Sequence, residues 1–202
     1  MFLISSNKAC IVIADVSGKG VPAALFMTMA KTHIKNYGLL DMPLKELAFR
    51  VNNRLCQDNP EEMFVTAFVG MLDMEKGRLI FINAGHNHPY VSFRDGGFHK
   101  LDCQSDFVFG LWEDMEYREQ EVDMRKGGKL FLYTDGVTEA ENKDGELFGD
   151  SRLEEALNLD SGNGGPKEII RAVSREVTDF SGGTGAGQTD DITMLCLEAP
   201  GR

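Results

Sequence analysis

Along this chain, short dense apolar runs alternate with stretches of helical spacing. Seven runs read as strands: "ACIVIAD" (9–15), "MFVTAFVGMLD" (63–73), "GRLIFINAG" (77–85), "HPYVSF" (88–93), "YREQEVDM" (117–124), "KLFLYTD" (129–135) and "DITMLCLE" (191–198). They are rich in β-branched and aromatic residues. The tight connections "MEKG" (74–77), "RDGG" (94–97) and "RKGG" (125–128) predict antiparallel neighbours. Several strands are apolar on both faces: Leu79 and Phe81 point one way, Ile80 and Ile82 the other. An antiparallel sheet with one wet face alternates apolar and polar residues. These runs do not, so both faces need cover, which two stacked sheets with helices outside them would supply.

The helices are readable too. Val21 to about Tyr37 is the first, with Pro22 tolerated in its opening turn. Its early part is apolar almost all round, which predicts deep burial. Leu44, Leu47, Ala48, Val51 and Leu55 form a stripe at helical spacing. Ser151 with Glu154 reads as a capping box opening a short helix. Pro166 starts a further helix carrying Ile169, Ile170, Val173, Val177 and Phe180 on one side. With no internal repeat and no linker, the expectation is one domain over residues 1–202: an α+β fold, two mainly antiparallel β-sheets flanked by helices.

Charge narrows the partners. The 202 residues carry a formal net charge of −11, which disfavours nucleic acid or an anionic membrane and permits a cation site. The four cysteines lie far apart with no C-x-x-C, so neither a zinc knuckle nor a disulfide framework is indicated. No signal peptide and no apolar run near 18 residues is present. The expected setting is the cytoplasm.

Three apolar strands meet an acid at one end: "IVIAD" at Asp15, "LFLYTD" at Asp135, and "QTDDITMLCLE" at Asp190 and Asp191. Rigid elements would position these carboxylates, and their burial is costly without a compensating positive charge. Together they would make an oxygen-rich site for a hard ion such as Mg²⁺ or Mn²⁺. Singly, each reads more simply as a turn former or helix cap. "GKG" (18–20) is not a Walker A loop, because Gly20 follows Lys19 where Ser or Thr is required. "ENKDGE" (141–146) reads as a hairpin tip rather than an EF-hand. His86 and His88 in "NAGHNHP" could bind metal, but read more simply as turn residues hydrogen-bonded to backbone.

"ADVSGKGVPAALFM", "MFVTAFVGMLD", "NAGHNHPY", "LYTDGVTEAEN", "ELFG" and "TDDITML" occur in an order and spacing that resembles the SpoIIE/RsbU-type serine phosphatases, bacterial members of the type 2C (PPM) metal-dependent phosphatases. The resemblance spans nearly the whole chain. It implies a four-layer αββα sandwich with a two-metal Mn²⁺ or Mg²⁺ centre, and removal of phosphate from serine or threonine. Carried over by motif, Asp15 matches the acid bridging both metals, the Val16 backbone carbonyl a further ligand, Asp135 a ligand of the second metal, and Asp190 the last metal-binding Asp. Asp191 falls where the family often has Asn. Strand alternation supports one of that pair without saying which.

The family places a "GGDxxD" motif on the strand before "IVIAD", and this chain begins just after where that motif would end. The expectation is therefore an N-terminally truncated domain with a weak or empty first metal site. The partners implied are a phosphorylated STAS-type anti-anti-sigma protein and an upstream sensory or receiver domain; nucleic acid and membrane insertion are not expected. The alternative is a catalytically weak or inactive module of the same fold that binds a signalling partner.

Overall fold

The long "ACIVIAD" run becomes the second strand of a five-stranded antiparallel sheet. In this computed structural model, which describes residues 1–57, 59–93, 96–124, 127–159, 164–183 and 191–199, the chain divides into two units. One holds Met1–His86 and Cys103–Asp123, the other Asn87–Asp102 and Met124–Arg202.

The first unit contains strands β1 (Phe2–Leu3), β2 (Lys8–Val16), β3 (Val65–Asp73), β4 (Arg78–Ala84) and β7 (Gln120–Asp123), ordered β1-β2-β3-β4-β7. "MEKG" closes the β3–β4 hairpin as expected. Cys10 on β2 and Val69 and Met71 on β3 share one buried cluster with helices α1 (Gly20–Gly38) and α2 (Leu44–Gln57), and Val12 and Ala14 pack against it. Ile11 and Ile13 alternate to the other face, where they too are buried. α2 buries the predicted stripe Leu44, Leu47, Ala48, Val51 and Leu55.

α1 departs from expectation. Its buried residues are Ala23, Phe26, Ala30, Ile34 and Gly38, a single stripe, while Val21 and Leu25 are exposed. An apolar circumference does not bury itself; only the side meeting the cluster is covered.

The second unit contains β5 (Tyr90–Ser92), β6 (His99–Lys100), β8 (Lys129–Tyr133) and β9 (Met194–Glu198), ordered β6-β5-β8-β9, all antiparallel. "RDGG" joins β5 to β6 as read, although Arg94 and Asp95 lie outside the described residues. Across "RKGG", whose Arg125 and Lys126 lie outside the described residues, the flanking strands are not partners: β7 pairs with β4, and β8 pairs with β5 and β9. Helices α3 (Gly149–Leu157) and α4 (Pro166–Phe180) bury Leu153, Ala156, Leu157, Ile169, Val173 and Val177 against Tyr90, Phe131 and Tyr133.

The capping box at Ser151 is not formed. α3 starts two residues earlier, after Phe148, with no side-chain cap. Gly149, at φ 74°, turns the chain into the helix, and Asp150 supplies the first-turn acid that suits a helix N-terminus. None of the four cysteines is in a disulfide, and burial pushes the Cys10 thiol up to about 12. No helix among the described residues is long and apolar enough to cross a membrane.

Close packing within the first unit is exacting at Gly70. A Cβ on Gly70 would lie 2.8 Å from Leu79 Cδ1 and 3.3 Å from Phe68 Cε1. Both side chains are fully buried, so the overlap cannot relax into solvent. Gly70→Ala is expected to cost about 1–3 kcal/mol, read as a lower urea midpoint at unchanged m-value.

Candidate active site

Asp15 stands one residue from the end of β2, on the face opposite the α1–α2 cluster, directly across from Thr66 of β3. Thr66 Oγ1 is 3.0 Å from His86 Nδ1. His86 is buried and its main chain is gripped by Asn83, whose side chain donates to the His86 carbonyl (2.9 Å) and accepts from its N–H (2.7 Å). The expectation for His86 as a turn residue thus holds for its backbone, while its ring meets a strand hydroxyl.

The Val16 carbonyl can be oriented from the ladder. Val65, opposite Val16, exchanges both backbone hydrogen bonds with Phe109, at 2.9 Å each. Val65 therefore turns its polar groups away from β2, making Val16–Val65 a non-hydrogen-bonded pair. The Val16 C=O then points to the other edge of β2, where β1 pairs only with Ala9 and Cys10. Ser17 continues the β3 pairing, donating N–H to the Phe64 carbonyl and accepting the Phe64 N–H on Oγ. Gly18 and Gly20 follow at φ 85° and 82°, turns that side-chain-bearing residues rarely make, and they lead the chain into α1.

In the second unit, Asp135 follows β8 by two residues and opens a 3-10 turn, Asp135–Val137. Its carbonyl accepts from Glu139 N and Thr138 Oγ1. Its Oδ1 is buried without a hydrogen-bond partner among the described residues. Thr134, itself buried, extends the β8–β9 ladder: its N–H donates to Thr193 O, its Oγ1 accepts from Thr193 N and donates to Asp191 O. Tyr133 donates to Asp150 Oδ1 and Tyr90 to the Asp150 carbonyl, while Lys100 pairs with the remaining carboxylate oxygen. Burial, with Asp150 beside them, pushes both phenols well above their ordinary range. This network fixes the end of β8 from the side of α3.

The chemistry of these donors suits a hard divalent cation. An acid and an edge-facing carbonyl lie together at the end of β2, and a buried carboxylate oxygen with no donor among the described residues lies at the end of β8. Among the described residues no three His, Cys, Asp or Glu side chains form a metal-holding group; Asp190 lies outside them, and Asp191 is exposed. Sequence reasoning missed Thr66, Asn83 and Thr134. Their one signal is a polar residue inside an apolar run, as in "FVTAF" and "LYTDG".

Solved structures share this architecture. The PP2C phosphatase domain of SpoIIE from Bacillus subtilis superposes with TM-score 0.79 at 18% identity, over 97% of this chain and 56% of that one. RsbX, solved in complex with magnesium, matches with TM-score 0.70 at 14% identity, over 97% of this chain and 83% of that one. The fold is thus that of the PP2C phosphatases: α+β, two antiparallel sheets flanked by helices, four of them among the described residues. A family profile described as Stage II sporulation protein E (SpoIIE) matches residues 5–200, and the chain belongs to that family. Protein IcfG of Synechocystis is 29% identical over 224 aligned positions, covering 97% of this chain and 34% of its own length. The phosphoserine phosphatase RsbU of Bacillus subtilis is 33% identical over 147 positions, covering 72% of this chain and 44% of its own. The chain spans less than half the length of these relatives.

Thr134 carries a direct expectation. Thr134→Val keeps shape but removes the hydroxyl from Thr193 N and Asp191 O. Stability should fall by about 1–3 kcal/mol, and amide exchange at Thr193 should quicken, while Thr134→Ser restores both. Unchanged exchange in the valine variant would show the clamp to be idle.

Proposed function

We propose that this chain is a metal-dependent protein serine/threonine phosphatase domain, acting on phosphoserine or phosphothreonine of a regulatory protein of the STAS anti-anti-sigma type, in cytoplasmic sigma-factor control. The observation that carries the reading is the buried Asp135 Oδ1, with no donor among the described residues. A carboxylate oxygen desolvated in this way is costly unless a cation answers it. The phosphoserine phosphatase name of the relative RsbU supports the substrate class, and the magnesium in RsbX supports a divalent ion.

Asp15, the Val16 carbonyl, Asp135 and Asp190 would hold the ions, Mn²⁺ or Mg²⁺. The position served by Asp15 and Val16 has fewer ligands among these residues and is the weaker. When bound, two such ions supply an acidified water for in-line attack and offset the charge of the phosphoryl group. The chain's own part is positional. The β2–β3 ladder fixes Asp15 at a strand end, and Thr134 fixes the backbone immediately before Asp135. The glycine turn after Val16 carries the chain onward without side chains at Gly18 and Gly20. No side chain is required to act as a nucleophile. The reading of a non-catalytic binding module differs in one respect: it predicts no turnover at any metal concentration.

Three measurements test this. Hydrolysis of p-nitrophenyl phosphate should require Mn²⁺ or Mg²⁺, and Asp135→Asn should lower it by about a hundredfold or more, beyond the loss typical of an outer-shell partner. Mn²⁺ at about a hundred times its Kd should stabilise the unmodified protein by about 2.7 kcal/mol and the variant not at all. Without metal, Asp135→Asn should be no less stable, because a neutral amide replaces a buried, unanswered carboxylate oxygen. A variant destabilised in the absence of metal would mean that Asp135 is a structural acid, and would sink the assignment.

A further inference from the structure

Trp112 is the only tryptophan of the chain, and it stands 62% exposed on a loop that is otherwise firmly built. Its ring lies parallel to Phe107, centroids 4.4 Å apart and planes at 4°. Beneath it, the fully buried Asn52 donates to the Trp112 carbonyl (2.7 Å) and accepts from Gly110 N (2.9 Å). Asn53 accepts from Asp114 N (2.8 Å) and donates to Asp114 Oδ1 (3.0 Å). Asp114 sits at φ 60°, a conformation that carries a cost for a residue with a side chain. Two asparagines and a strained turn thus hold a large aromatic surface in water, stacked on Phe107. Rigid, exposed aromatics of this kind are what binding surfaces use, since their ordering cost is met before the partner arrives.

The surroundings select the partner. Residues 102–117 contain five carboxylates and no lysine or arginine. The arginine that follows, Arg118, is paired with Asp106, while Glu113, Asp114 and Glu116, within four residues of Trp112 in the chain, are exposed. A negative rim about an electron-rich aromatic face attracts a cation and repels phosphate. Position matters as well. Phe109, between Phe107 and Trp112, pairs with Val65, which pairs with Val16. Two strand spacings separate Phe109 from Val16, about 10 Å, which an extended peptide spans in three or four residues.

We infer that Phe107 and Trp112, with the neighbouring carboxylates, form a seat for an arginine or lysine of the phosphoprotein substrate, the guanidinium or ammonium lying on the Trp112 ring. The seat sets which phosphoserines the domain accepts: those with a basic residue three or four positions away. The inference rests on the phosphatase reading for its biological use, but binding at the seat can be measured without catalysis.

The probe is a pair of phosphoserine peptides lacking Trp and Tyr, with arginines three and four residues to either side of the phosphoserine, or citrullines in their place. In metal-free protein, Trp112 fluorescence should titrate with the arginine peptide, with a Kd about three- to thirtyfold tighter than for the citrulline peptide. With Mn²⁺, kcat/KM should favour the arginine peptide by a similar factor. Trp112→Leu, which keeps apolar area but loses the aromatic face, should bring that kcat/KM ratio near one, and Glu113→Gln should lower it. Equal binding of the two peptides, or a ratio that survives in Trp112→Leu, overturns the seat. So does a dimer that Trp112→Leu dissolves, since the ring would then serve a contact between copies. If p-nitrophenyl phosphate is not hydrolysed with any divalent ion, the phosphatase reading fails, while the fluorescence titration still decides the seat.

Discussion

The register between β2 and β3 is the constraint on which the candidate site depends. Pairing runs unbroken from Lys8–Asp73 to Val16–Val65. Because side chains alternate, a slip of one residue would turn Asp15 toward α1 and α2 and swing the Val16 carbonyl toward β3. Apolar demand on both faces prevents the slip. Cys10, Val12 and Ala14 need the helix cluster, and Ile11 and Ile13 are buried on the other side. Beyond Val16 the Ser17–Phe64 hydrogen bonds lock the end. An acid and a carbonyl thereby reach one strand end through the packing of residues that touch neither.

The same two-faced apolar pattern is why most elements were legible. A strand hydrophobic on both sides admits few readings, and the three long strands β2, β3 and β4 fall where their runs lie. Where sequence reasoning failed, it lacked geometry. α1 is apolar around its circumference, yet which side is covered depends on the sheet and α2. Ser151 and Glu154 have the spacing of a capping box, but Gly149, free to adopt φ 74°, starts the helix earlier. "RKGG" has the composition of a hairpin turn, while β7 and β8 find their hydrogen-bond partners elsewhere. Asp15 and Asp135 could be singled out because an acid ending an apolar run is conspicuous. Thr66 and Thr134 could not, because a threonine is at home in any strand and its role lies in what its hydroxyl meets.

Those hydroxyls belong to a wider division of labour. Among the described residues, the buried polar ones are Asn52, Asn83, His86, Ser92, Thr134 and Ser181, with no Asp, Glu, Lys or Arg among them. Amides and hydroxyls can be fully satisfied inside a protein at modest cost, whereas a buried charge needs a partner of equal quality. Asn52 binds Gly110 and the Trp112 carbonyl, Asn83 closes the turn that carries His86, and Thr134 ties Thr193 and Asp191 to the end of β8. Each fixes a loop next to a functional residue without adding charge there.

That choice has an electrostatic consequence. In a chain of net charge −11, acidic clamps would lower the potential everywhere and draw cations to many places. With these neutral clamps, Glu113, Asp114 and Glu116 stay solvated, and the covered Asp106 side chain is answered by Arg118. Asp135 Oδ1 is then the one carboxylate oxygen among the described residues that is buried with no donor. A water-exposed acid binds a divalent ion in competition with its own hydration. A desolvated one gives up little on binding and is destabilised until it does. Selectivity for the site over the many surface acids follows from this difference, and it needs no acid stronger or more numerous than those the strand ends already present.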